Sequence, residues 1–219
     1  MDKKINVVKN VLDANDAIAA ENRRLLENAG ALLINILSAP GSGKTTLMEK
    51  TFPALTERGL TSAMVVGDLQ TSRDAERIGA TGADVIQINT EGGCHLSATQ
   101  VATALQQMDL AGLAFLFIEN VGNMVCPAGF DLGEHHRVAM LSTPEGQDKV
   151  AKYNTLFLSA DLVVLNKMDL ADVLGFDKSQ VYEDLSKVNT RAKVIEISAA
   201  TEEGIDQWID WLLALQSAK

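Results

Sequence analysis

The sequence predicts an α/β fold, a mostly parallel central sheet flanked by helices, and three observations carry that prediction. Short apolar runs alternate along the chain with stretches patterned for helices. That alternation is the mark of strand–helix–strand units whose parallel sheet is covered on both faces. The first run, "ALLINIL", leads straight into a glycine-rich loop, "SAPGSGKTT" (Ser38 to Thr46), which opens a helical stretch. The composition, 47% apolar and 22% charged over 219 residues, suits a globular chain long enough to bury a substantial core.

Ahead of the first strand, Val7, Val8, Val11, Leu12, Ile18, Leu25 and Leu26 fall at amphipathic-helix spacing, and Gly30 is a stop signal. Residues 1–30 therefore read as an N-terminal helical extension to a domain spanning 31–219. Strands are expected at Leu32 to Leu37, Ala63 to Val66, Val85 to Asn89, Ala114 to Ile118, Arg137 to Leu141, Leu162 to Leu165 and Val194 to Ile197. The intervening helices are expected to start near Lys44, Ser72, Leu96, Glu145, Lys178 and Ile205. No internal repeat, low-complexity segment or linker interrupts the pattern.

Charge and length narrow the function classes. A formal charge of −10 argues against non-specific binding to nucleic acid, a polyanion. No apolar stretch approaches the length of a membrane span, and "MDKKINVVKN" has no signal-peptide core, so a cytoplasmic location is expected. Two cysteines are too few for a disulfide scaffold.

The glycine-rich loop has the chemistry of a phosphate cradle. Ligands of open α/β sheets bind outside the carboxyl ends of the strands. Gly41 and Gly43 let backbone amides turn toward phosphate oxygens, Pro40 and Ser42 belong to the same binding loop, and the helix beginning at Lys44 adds amide donors and a favourable dipole. Lys44 is placed to reach the β- and γ-phosphates, Thr45 to ligate Mg²⁺, and Thr46 to complete the loop. The pattern G-x-x-x-x-G-K-[ST] is met except at its first glycine, which is Ser38. Replacing Ser38 by glycine is expected to remove no contact.

Downstream elements identify the nucleotide. "DLVVLNKMDL" ends an apolar strand with Asn166, Lys167 and Asp169. A carboxylate at Asp169 can accept from guanine N1 and N2, donors that adenine lacks, so GTP is the expected ligand. "VIEISAATEEG" places Ser198 and Ala199 where a supporting base loop would stand. In "LAFLFIENVGN", Glu119 is a candidate Mg²⁺ ligand and Gly122 a candidate γ-phosphate sensor. Asp68, in "MVVGDLQTSRDAERI", is a second magnesium candidate that could also position the attacking water. The neighbouring Arg73 and Asp74 are either part of a switch or the solvated start of a helix.

Cys94 and His95 follow a strand in "NTEGGCHLSA", and Cys126 lies four residues past Gly122. Thiolate and imidazole suit Zn²⁺ or Ni²⁺. Spacing leaves two readings open: a soft-metal site, or two buried unreactive cysteines beside a chance histidine. His135 and His136 could assist a metal or be surface residues.

The set "GSGKTT", "GDLQTSRDAERI", "GGCHL", "ENVGNMVCPAGFDLGE", "STPEGQDKVAKY" and "NKMDL" resembles the family of hydrogenase nickel-incorporation GTPases, HypB, over nearly the whole chain. The resemblance implies a P-loop GTPase fold of the SIMIBI class and a GTP-dependent homodimer. It further implies nickel delivery to the precursor of the [NiFe] hydrogenase large subunit, with a HypA-type zinc-binding maturation protein as partner. Lys44, Asp68 and Glu119 would serve hydrolysis, and Cys94, His95 and Cys126 match the family's metal-binding residues. Many members carry a Cys-rich N-terminal motif or a histidine-rich tract, and this chain has neither, so nickel storage is not expected. The related urease accessory GTPase usually shows C-P-H where this chain reads C-P-A. Service to another nickel enzyme such as urease, phosphorylation of a small metabolite by a P-loop kinase, and a metal-binding protein with a merely structural nucleotide are the alternatives.

Overall fold

The computed structural model describes residues 2–68, 73–90 and 92–218, with the side chains of residues 2–11 and 68 left out. Among these residues seven parallel strands run in the order β3-β2-β4-β1-β5-β6-β7. They are β1 (Leu32–Ser38), β2 (Thr61–Asp68), β3 (Asp84–Asn89), β4 (Leu113–Glu119), β5 (His136–Ser142), β6 (Leu162–Asn166) and β7 (Lys193–Glu196). All seven expected strands are present, each within two residues of its expected bounds. The central strands are buried throughout and mostly apolar because helices cover both of their faces.

The helices are α1 (Asp2–Ala29), α2 (Lys44–Thr56), α3 (Arg73–Gly79), α4 (Ala98–Leu105), α5 (Lys149–Lys152), α6 (Asn154–Leu158), α7 (Ala171–Leu174), α8 (Lys178–Val188) and α9 (Ile205–Ser217). On one face, Leu32, Ile34 and Ile36 of β1 pack with Leu47, Phe52 and Trp208 of α2 and α9. On the other face, Leu33 packs with Leu26 and Val101 of α1 and α4, while Leu37 joins Phe157 and Val181 of α6 and α8. That second face is thus covered by two separate apolar clusters.

Two helix starts differ from expectation, and a third lies outside the described residues. Leu96 stays outside α4 because Ser97 caps it: the Ser97 hydroxyl accepts from the Gln100 amide at 3.3 Å, and Gln100 Oε1 accepts from the Ser97 amide at 2.9 Å. The helix expected from Glu145 is interrupted at Gly146, whose φ of +96° ends a 3₁₀ turn over Thr143–Glu145, and α5 begins only at Lys149. Ser72, the expected start of another helix, is not described; α3 runs from Arg73.

α1 is latched at both ends of one ridge. Asn15 Nδ2 donates to the Asp131 carbonyl at 2.7 Å, and Asn22 Nδ2 donates to the carbonyls of Ala98 (2.9 Å) and Leu132 (3.1 Å). Arg23 pairs with Asp131 at 2.8 Å.

Candidate functional site

The turn after β1 places the phosphate-loop residues at the carboxyl edge of the sheet. Gly43 has φ 104° immediately before α2, and a Cβ there would sit 2.4 Å from Asn166 Nδ2. Conformation and crowding therefore both demand glycine. Asn166 joins three segments: its Nδ2 donates to the Ser42 carbonyl at 2.7 Å, and its Oδ1 accepts from the Ala199 amide at 3.0 Å. Lys167, in the left-handed region at φ 62°, donates to the Gly41 carbonyl at 2.7 Å. Ser198 is buried, and its hydroxyl accepts from the Thr201 amide at 3.2 Å. Asp169 follows, exposed, in a short 3₁₀ turn. The "NKMDL" segment thus meets the phosphate loop across 124 positions of sequence and the "SAA" segment across 33.

Lys44 is 6% exposed, and its ammonium donates to Ser38 Oγ at 2.8 Å and to the Ala39 carbonyl at 3.4 Å. This corrects the expectation for Ser38: the serine that replaces the usual glycine holds the loop's lysine. Thr45 Oγ1 donates to Glu119, 3.0 Å from Oε1 and 3.2 Å from Oε2. Burial lowers the Lys44 pKa, and burial raises that of Glu119 to about 7 against the pull of Lys44. Desolvation outweighs mutual attraction for both groups, so each favours its neutral form more than it would in water.

These residues line a cavity of about 360 Å³ together with Thr46, Gly122, Asp74 and Arg77. Gly122 closes one wall: a Cβ there would lie 2.9 Å from Pro40 Cα and Cγ. Of the ambiguous pair, Asp74 lines the cavity and Arg73 is exposed. Asp68 ends β2 beside β4, and its side chain lies outside the described residues. Arg77 was not anticipated; its guanidinium grips Glu49 through Nε (2.9 Å) and Nη2 (2.6 Å) and reaches Thr46 Oγ1 at 3.2 Å. Its only sequence signal was a basic residue one turn after Asp74.

The cysteine loops flank this cavity. Cys94 is exposed and Cys126 half-buried, which removes the reading of two inert core thiols. A hydrogen bond shared with the Cys126 thiol raises the Cys94 pKa, so the two sulfurs are neighbours. His95 Nδ1 lies 3.4 Å from Cys94 Sγ, and its ring stacks on Phe130 with centroids 3.9 Å apart. Burial lowers the His95 pKa, favouring the neutral imidazole that metals bind. Asn123 ties the loops together: its Oδ1 accepts from the amides of Val125 (2.8 Å) and Cys126 (3.4 Å), and its Nδ2 donates to the Cys94 carbonyl (3.4 Å). Among the described residues, no three His, Cys, Asp or Glu side chains converge into a complete metal cage.

His135 and His136 are half-buried and stand at the amino end of β5. His135 Nδ1 accepts from the Leu33 amide at 2.9 Å, and His136 lies 3.6 Å from Asp161.

A glycine-rich loop, a buried lysine and a Thr–carboxylate pair at the carboxyl edge of a parallel sheet define a P-loop nucleotide-binding domain. The family model described as CobW/HypB/UreG, nucleotide-binding domain, matches residues 32–196. Hydrogenase maturation factor HypB of Rhizobium leguminosarum bv. viciae is 48% identical over 208 residues, covering 95% of this chain and 69% of the relative. The crystal structure of HypB from Helicobacter pylori in complex with nickel superposes with a TM-score of 0.89 at 37% identity, covering 94% of this chain and 96% of that one. HypB from Archaeoglobus fulgidus gives 0.87 at 38% identity, covering 94% and 100%. The chain belongs to the CobW/HypB/UreG family, and within it to the hydrogenase maturation factors of the HypB type.

Proposed function

We propose that this chain is a low-turnover GTPase whose nucleotide state governs the holding and release of nickel destined for the [NiFe] hydrogenase large-subunit precursor. The observation that carries the proposal is the placing of Gly122 and Cys126 on one short segment. Gly122 packs on Pro40 of the phosphate loop, while the thiol four residues further on meets Cys94. In this reading Lys44 and the loop amides hold the phosphates, and Asp169, backed by Asn166, Lys167, Ser198 and Ala199, selects guanine. Thr45 and Glu119 present hard oxygens that suit magnesium, with Asp68 as a further ligand; bound there, the ion would offset phosphate charge.

Nickel is cargo. Cys94, Cys126 and His95 supply soft and borderline donors for Ni²⁺ or Zn²⁺. Since the described residues of one chain do not close a cage, a homodimer that brings two cysteine pairs together about a twofold axis completes the coordination. A HypA-type zinc-binding protein and the large-subunit precursor are the partners this role calls for, in the cytoplasm. Calorimetric titration with nickel, in the presence of GDP and then of a non-hydrolysable GTP analogue, tests the proposal. Wild type should show different affinities in the two states, and Cys126→Ala should lose both metal binding and the difference. Equal wild-type affinities would overturn the switch.

A further inference from the structure

A polar residue occupies the middle of β1, a strand buried along its whole length. Asn35, with no exposure, stands between Leu33 and Leu37 on the face of β1 where two apolar clusters meet. Its Oδ1 accepts from Asn120 Nδ2, and its Nδ2 donates to Glu134 Oε1, both at 3.4 Å. Asn120 and Glu134 are likewise buried, at 1% and 6% exposure. Burying three such groups costs desolvation that an apolar trio would avoid, so their bonds must specify something that packing alone would not.

Both ends of this chain of bonds terminate on the cysteine loops. Asn120 directly follows Glu119, and its Oδ1 accepts from the amides of Val121 (2.9 Å) and Leu96 (3.2 Å), the latter adjoining His95. At the other end Glu134 Oε1 accepts from Arg137 Nε at 2.5 Å. Arg137 then donates to the carbonyls of Ala128 (3.0 Å) and Phe130 (2.9 Å), just beyond Cys126, and Phe130 is the ring stacked on His95. One carboxamide thus holds the segment leading to Gly122 and the backbone beside His95, while its partners hold the loop of Cys126.

We infer that Asn120, Asn35, Glu134 and Arg137 are positioning residues that couple the nucleotide site to both cysteine loops, with Asn120 as the common joint. The inference rests on reading the site as a nucleotide-dependent nickel carrier. A movement of Gly122 with the γ-phosphate shifts Val121, and Asn120 Oδ1 cannot follow Val121 without changing its bond to Leu96. Hydrogen bonds are directional and the surroundings are close-packed, so the two arrangements are discrete rather than graded.

The test is nickel titration in both nucleotide states for wild type, Asn35→Leu and the core control Ile36→Val. Asn35→Leu keeps the branching and heavy-atom count of the side chain and removes both carboxamide bonds. Linkage coupling typically spans about 5–150-fold; the wild type and Ile36→Val should show it, and Asn35→Leu should fall to about twofold or less while still binding nickel. Retained coupling in Asn35→Leu would overturn the relay alone. Absence of coupling in wild type would overturn the carrier reading and the relay with it. A measurement on wild type covers the case in which the variant does not fold. Hydrogen exchange without nickel should show the Leu96 and Val121 amides changing protection together when the GTP analogue replaces GDP. A change at Val121 with Leu96 unmoved would refute the common joint.

Discussion

The hydroxyl of Thr45, in the first turn of α2, donates to both carboxylate oxygens of Glu119 at the end of β4, at 3.0 and 3.2 Å. Two elements that are 74 residues apart in sequence thus meet at the wall of the phosphate cavity, beside a buried lysine.

The Glu119 carboxyl, raised by burial from 4.5 to about 7, makes stability fall as pH rises. The folded state binds the proton more tightly than the unfolded state, so nothing is lost below pH 4.5 and the full cost is reached above about pH 7. In protein free of nucleotide and magnesium, Glu119→Gln should be more stable than wild type at pH 8, by up to ~3 kcal/mol. The two should converge near pH 4. Denaturant melts at both values decide this, and equal stability at pH 8 would remove the buried-carboxylate account.

Lys44→Ala should weaken nucleotide binding by roughly 10–150-fold, the range of a charge-assisted bond of about 1.5–3 kcal/mol. Ser38→Gly removes the hydroxyl that accepts from Lys44 and should cost about 1 kcal/mol of nucleotide-free stability. Its effect on affinity should be small, since phosphate oxygens offer the ammonium better acceptors. Fluorescent-nucleotide titration and thermal melts separate the two effects.

Asp169→Asn should exchange guanine for xanthine preference, because xanthine presents a C2 carbonyl where guanine presents an amine. The shift in relative affinity should be on the order of 100-fold, because the bond to the C2 substituent reverses polarity while the bond from N1–H keeps it. Competition between GTP and XTP measures it. Unaltered preference for GTP would take Asp169 out of the base site.

Gly122→Ala forces a methyl to 2.9 Å from Pro40 Cα, a backbone-linked atom that cannot swing away. The phosphate loop or the Gly122 segment must yield, at about 1–3 kcal/mol, and GTP-analogue binding should suffer more than GDP binding. Equal losses for both nucleotides would show that Gly122 does not report on the γ-phosphate.

The strands and the phosphate loop were legible because they obey local rules. Uninterrupted apolar runs mark parallel strands buried on both faces, and Gly41 and Gly43 followed by Lys44 mark a loop that must bend around an anion. Less legible was the region after β5, where Gly146 at φ +96° breaks a helical pattern into a 3₁₀ turn and two short helices. The periodicity there was sound, but one backbone conformation overruled it. Ser38 looked like a neutral departure from a motif and is in fact the acceptor for Lys44.

By itself the sequence determined the layered architecture, the strand set, the phosphate loop and the identity of the cysteine and histidine candidates. Each is written in residue type and short spacing, where sterics, hydrophobic periodicity and donor chemistry act within a few positions. Only the tertiary structure decided which of these meet. It set Glu119 against Thr45, Gly122 against Pro40 and Cys94 beside Cys126. It also turned Asn35, a polar residue in an apolar strand, into the centre of a buried network joining Asn120 to Glu134. Such pairings depend on strand order, because parallel crossovers bring together at one sheet edge residues that no local pattern relates.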